Sequence, residues 1–232
     1  MKRSEINRAL RRMEDMIREY RIALPDFCSF TPQEWRSKGR EYDEIRDNML
    51  GWDITDYGQG RFREIGFSLI TLRNGNWKQK DKYPKTYAEK LLYLEEGQYA
   101  PMHFHWSKME DIINRAGGTV LIRVYNSRPD ESVDRDSPVT VHVDGREYSV
   151  AAGTQVRLRP GQSISITPLL YHDFTVEPGS GAVLLGEVSQ LNDDSSDNRF
   201  EPPMGRFPSI QEDEPPYRLL CNEYPPAPDG QE

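Results

Sequence analysis

The chain has 232 residues, 36% of them hydrophobic and 29% charged, with a formal net charge of −8. The negative balance excludes the basic face that nucleic acid or an anionic membrane surface demands, and no run of about 18 apolar residues is present to span a bilayer. Tyr, Trp and Phe are plentiful enough to favour a folded globule over disorder, of a length that suits one large β-barrel or two small domains.

The N-terminal stretch MKRSEINRALRRMED carries charges where a signal peptide would need an apolar core. Residues 4–20 predict an amphipathic helix, because Ile6, Ala9, Leu10, Met13, Ile17 and Tyr20 recur at helical spacing with Arg and Glu between them; Pro25 ends it. Cys28 and Cys221 are too few for a disulfide framework and read as buried, idle thiols, which fits a cytoplasmic setting. A second short helix is expected from Thr31, where Thr-Pro-Gln-Glu sets a capping hydroxyl, an N1 proline and an N3 glutamate in order. Residues 41–49 predict one more short helical turn.

From Gly51 the pattern changes to strands. They are expected at 66–73, ending in the turn signal Asn74-Gly75, then at 88–94, within 97–117, and at 119–125. A hairpin at 139–143 and 146–150 turns on Asp144-Gly145, and strands at 156–158, 163–167, 172–176 and 182–188 follow. Short strands at this spacing indicate an antiparallel sandwich or barrel. Past Leu191 the chain is acidic and Pro-rich, and is expected to wrap the surface and end in a loose tail, PPAPDGQE. The expected organisation is a single structural domain, with a helical extension at 1–50, the barrel at 51–191 and the wrapping segment at 192–232.

Segment 97–117, GQYAPMHFHWSKMEDIINRAG, carries the chemistry. His103 and His105, at i and i+2 on a strand, point to one side. With Glu110 and the downstream His172 they form a set of three imidazoles and one carboxylate, suited to a divalent Mn, Fe, Co, Ni or Zn ion. The chain has four histidines, and this set uses three. Glu110 lies an odd five residues after His105, so the backbone must turn or bulge within 106–109 for it to rejoin them. Glu110, Ile112 and Asn114 then share a face, and 116–118 reverse the chain. His172, Phe174 and Val176 define an inward face, which turns Asp173 and Thr175 outward and leaves Asp173 at most an orienting role. His142, between two core-facing valines, is expected at the solvent and is excluded.

The spacing of Gly97, His103, His105, Glu110 and Gly117 resembles the first motif of the cupin superfamily. Gly161, Pro168 and His172 follow the order of the second, without the glycine between Pro and His and with Val176 in place of its terminal Asn. The resemblance implies an all-β fold, a cupin-type jelly-roll β-barrel with the metal inside, the N-terminal helices packing outside it. The stretches MKRSEIN, AEKLLYLEEGQYAPMHFHWSKMEDIINR and GRFPSIQEDEPPYRLL are further similar to the bacterial D-lyxose isomerase family of cupins, over essentially the whole chain. This second resemblance implies a ketol-isomerase that is Mn²⁺-activated and homodimeric. Its substrate pairs would be D-lyxose with D-xylulose and D-mannose with D-fructose.

Such a reaction moves a proton between C1 and C2 of an open-chain sugar while a metal polarises the carbonyl and binds the adjacent hydroxyl. Glu110 is committed to the metal, so another group must carry the proton. Glu201 is the first candidate, because FEPPMGRFP matches a family stretch that returns over the barrel mouth. Lys90 is the second participant, since it shares a strand face with Leu92 and Leu94, where an ammonium would assist ring opening or stabilise a developing oxyanion. Arg206, Lys108, Trp106 and Phe174 are expected at the substrate, Arg206 on hydroxyls or orienting Glu201 and the two aromatics as pocket walls. The competing readings are an Fe²⁺ cupin dioxygenase with the same four ligands and a sugar-binding cupin without catalysis.

Overall fold

Helix α1 (Arg3–Glu19) forms along the stripe Ile6, Ala9, Leu10, Met13 and Ile17, all of which are buried. A stripe of this kind forms a stable helix only when it packs on something larger. The computed structural model, which describes residues 1–191 and 196–228, supplies that partner as the outer face of a β-sheet. Thr31 caps α2 (Pro32–Trp35) with a complete capping box, Glu34 N–H donating to the hydroxyl and Thr31 N–H donating to the Glu34 carboxylate. α3 (Asp43–Asp47) follows within the expected 41–49. No helix among the described residues is long and apolar enough to cross a membrane.

The strands are β1 (Gly51–Thr55), β2 (Phe67–Arg73), β3 (Tyr87–Leu94), β4 (Tyr99–Phe104), β5 (Glu110–Gly117), β6 (Val120–Ser127) and β7 (Val133–Asp134). They continue as β8 (Val139–Val143), β9 (Arg146–Val150), β10 (Gln155–Leu158), β11 (Ser163–Ile166), β12 (Tyr171–Val176), β13 (Val183–Gln190) and β14 (Arg199–Phe200). Among the described residues they form two antiparallel sheets. The larger runs β1-β2-β3-β13-β5-β11-β8-β9, and the smaller runs β10-β6-β12-β4-β14 with β7 beside β6. The β8–β9 hairpin turns on Asp144 and Gly145, both at positive φ, as a two-residue hairpin of the favoured twist requires.

The inner faces meet in one core, with Leu69, Leu92, Ile112, Ile164 and Leu185 from the larger sheet against Ile122, Val124, Phe174 and Val176 from the smaller. Outside the larger sheet, α1 packs on Ile54, Ile70, Leu91, Tyr93 and Leu184. Burial from both sides explains why β1, β2 and most of β3 are buried continuously rather than alternately. The architecture is the expected all-β barrel with the helices outside. The two-residue strands β7 and β14, absent from the sequence reading, are too short to carry a periodicity.

The C-terminal segment runs back across α1. The buried Arg3 donates to Glu212 at 2.7 and 2.9 Å and also to Glu223. Ser4 bonds Asp213, and Asn7 donates to Glu214 and accepts from Tyr217 N–H. Of the tail expected at 225–232, residues 229–232 lie outside the described residues, as do 192–195.

Candidate metal centre

His103 on β4 and His172 on β12 are Cα partners in the antiparallel ladder of the smaller sheet, so their side chains leave neighbouring strands on the same face. His105 follows two residues after His103, just past the end of β4. Residues 105–109 then carry the chain across to the larger sheet, where β5 begins at Glu110. That crossing is the turn the parity of Glu110 demands: the residue changes sheets and faces the histidines from the other side.

The three histidines are 0–7% exposed, and their candidate ligand nitrogens lie within 4.8 Å of one another. Each Nδ1 is engaged by a backbone carbonyl, His103 with Pro101 at 2.7 Å, His105 with Asp197 at 2.8 Å and His172 with Leu170 at 3.1 Å. A carbonyl accepts and never donates, so Nδ1 carries the proton and each Nε2 turns a lone pair inward. Nε2 of His105 and of His172 are buried without a hydrogen-bond partner. Glu110 Oε1 stands 3.3 and 3.2 Å from these same nitrogens. Lone pairs set against a carboxylate oxygen in a buried space repel one another unless a cation joins them. The donor set therefore fits a divalent metal ion.

The electrostatics agree with that reading. Burial, then the neighbouring His172 and His105, hold the pKa of His103 well below its ordinary value, which keeps it a neutral donor. Burial alone would push Glu110 up. The Lys108 ammonium, 2.6 Å from Oε2, outweighs it and holds Glu110 well below the usual carboxylate range.

A second polar group adjoins the histidines. Glu187 on β13 is the register partner of Lys90 on β3 and of Ile112 on β5. Its Oε1 lies 3.3 Å from Lys90 Nζ and 3.1 Å from Lys108 Nζ. Lys90, Glu187, Lys108 and Glu110 thus alternate in sign through the barrel interior, each 3–5% exposed. Four buried charges in this order compensate one another, where any one alone would be prohibitive. Sequence reasoning does not single out Glu187, although its parity with the core-facing Val183 and Leu185 on one strand points it inward.

The remaining expected site residues separate. Lys90, Lys108, Phe174 and Arg206 line the cavity with His103, His105, Glu110 and Glu187. Arg206 is held there by the buried carboxylate of Asp53. Glu201 is exposed just after β14, its amide donating to Met102 O at 2.9 Å, and Trp106 is 41% exposed, its Nε1 donating to Glu131 at 2.9 Å. Neither is brought to the cavity wall. Asp173 turns away to pair with Arg123, and His142 lies near Glu147 on the outer edge of the larger sheet.

Solved structures share this architecture. The L-ribose isomerase of Cellulomonas parahominis with L-ribose superposes with a TM-score of 0.58 at 17% identity, covering 91% of this chain and 98% of that one. The L-ribose isomerase of Geodermatophilus obscurus gives 0.55 at 17% identity, covering 86% and 92%. Fold and inward histidine cluster together define a cupin-type barrel protein. Residues 1–224 match the D-lyxose isomerase family, and the chain belongs to it. The D-lyxose/D-mannose isomerases of Serratia proteamaculans and of Escherichia coli O157:H7 are each 45% identical to it over 97% of this chain and 98% of theirs. It is accordingly a sugar isomerase, an intramolecular oxidoreductase that exchanges aldose and ketose.

Proposed function

We propose that this chain interconverts D-lyxose with D-xylulose and D-mannose with D-fructose. One divalent ion per chain, Mn²⁺ foremost, is held by His103, His105, His172 and Glu110. The observation that carries this reading is the juxtaposition of inward, proton-free imidazole nitrogens with the buried Lys90–Glu187–Lys108–Glu110 series. When bound, a divalent cation polarises the sugar carbonyl and its neighbouring hydroxyl.

Glu187, which is not committed to the ion, is the acid–base group. Its carboxylate takes the proton from C2 of the open-chain aldose and returns it to C1, while the O2 hydroxyl proton passes to O1. Lys90 and Lys108 hold that carboxylate in place and present positive charge to the oxygen on which negative charge develops. Arg206, fixed by Asp53, meets the distal hydroxyls, and Phe174 and Phe200 wall the cavity against water. Glu201 and Trp106, exposed and close in sequence to cavity residues, meet the sugar on entry. The working unit is a homodimer, twofold pairing being the commonest assembly, and the setting is the cytoplasm.

The test is to strip the protein with chelator, restore Mn²⁺ and follow ketose formation from D-lyxose and D-mannose in parallel. Activity should vanish and return with the ion. A protein that binds Mn²⁺ tightly yet turns over neither sugar would transfer the assignment to a dioxygenase or a sugar sensor.

A further inference from the structure

The three histidines are oriented in two different ways. His103 and His172 are each held by the carbonyl two residues earlier in the chain, Pro101 on β4 and Leu170 immediately before β12. His105 is held by the carbonyl of Asp197, 92 positions away in the chain. A bond between such near neighbours comes with the strand they share or adjoin. The Asp197 bond exists only when the segment around 197 is docked.

The docking is done by the same residue. The Asp197 carboxylate accepts the backbone N–H of Ser107 through Oδ1 and of Lys108 through Oδ2, both at 2.9 Å. These amides lie on the 105–109 crossing between the sheets, where no strand ladder holds the backbone. One side chain therefore fixes the turn that delivers Lys108 to Glu110 and Glu187, and its own main chain fixes the ring of His105.

We propose that Asp197 is a positioning residue that sets the inward Nε2 of His105, the one ligand of the three whose Nδ1 is held by a carbonyl from beyond β13. The inference rests on the metal-binding reading of the histidines. Every substitution at 197 keeps the carbonyl, so the side chain's contribution can be measured separately from the carbonyl's.

Metal-free wild type, Asp197→Ala and Asp197→Asn would be titrated with Mn²⁺, the free ion being read by its EPR signal, and the amide exchange of Ser107 and Lys108 followed alongside. Asp197→Ala should bind Mn²⁺ about 10- to 100-fold more weakly, the range for losing a group that orients a ligand. Both amides should exchange faster while the melting of the metal-free protein shifts little. Asp197→Asn keeps an acceptor for one amide and should fall between the two, and it carries the test if the alanine variant does not fold. Wild-type affinity in Asp197→Ala would overturn the inference, as would an asparagine variant no better than alanine. A wild-type chain that takes up no Mn²⁺ would instead sink the metal-binding reading, with the exchange rates at 107 and 108 still deciding whether Asp197 anchors the crossing.

Discussion

Glu110 and Glu187 are both buried carboxylates beside Lys108, and their other neighbours divide their roles. Glu110 shares an oxygen with two imidazoles, whereas Glu187 meets a second ammonium, Lys90. Glu187→Gln keeps the shape but removes the proton acceptor, so kcat should fall by about 10²–10⁴-fold while Mn²⁺ affinity stays close to wild type. Glu201→Gln, at an exposed position, should leave kcat near wild type. Equal losses in both variants would return the proton to Glu201. The candidate metal ligands were legible in the sequence because His103 and His172 lie at strand positions whose parity can be counted from their neighbours, and His105 and Glu110 follow at short spacing. Glu187 carries the same parity signal, but in the sequence it is one of 38 acidic residues. Only the register that sets it opposite Lys90 distinguishes it.

At the scale of elements, the strands were legible where alternation or a turn dipeptide marked them: β8 and β9 are where 139–143 and 146–150 placed them. The assignment of β4 and β5 to different sheets was not legible, because pairing is decided by residues far along the chain. The same holds for the strap of C-terminal residues over α1. Arg3 is 2% exposed and its partner Glu223 is 22% exposed, whereas Glu212 is 59% exposed. Arg3→Ala would leave Glu223 unpaired in a half-covered site and should cost about 3 kcal/mol, while Glu212→Gln should cost less than about 1 kcal/mol. Urea midpoints of the two variants decide it, and equal effects would mean that the strap contributes through its apolar contacts instead. Leu10→Ala, on the buried stripe of α1 and fully buried, should cost about 2–5 kcal/mol by the same measurement.

For the molecule as a whole, the two-sided burial that hides the outer face of the larger sheet also makes it sensitive to base. Burial pushes the Cys28 thiol from 9.0 up to about 12, and burial with Glu95 pushes the Tyr93 phenol from 10.0 up to about 12. Folding favours the neutral form of both, so their contribution is intact below pH 9 and is lost as the pH rises toward 12. The urea midpoint should therefore fall between pH 9 and 11, and Cys28→Ala should make that fall shallower. A midpoint unchanged over this range would contradict the account.

The sequence by itself determined the class of the fold, the three histidines with Glu110, and the inward face of β12, because alternation, caps and motif spacing are local properties read from neighbouring residues. Tertiary structure alone decided that Glu187 lies between two lysines, that Glu201 and Trp106 stand outside the cavity, and that Asp197 reaches back to the 105–109 crossing. The physical reason is distance along the chain: these contacts join residues about 80 to 100 positions apart, or fail to join near ones, and are set by the ladder and the wrap that bury the core.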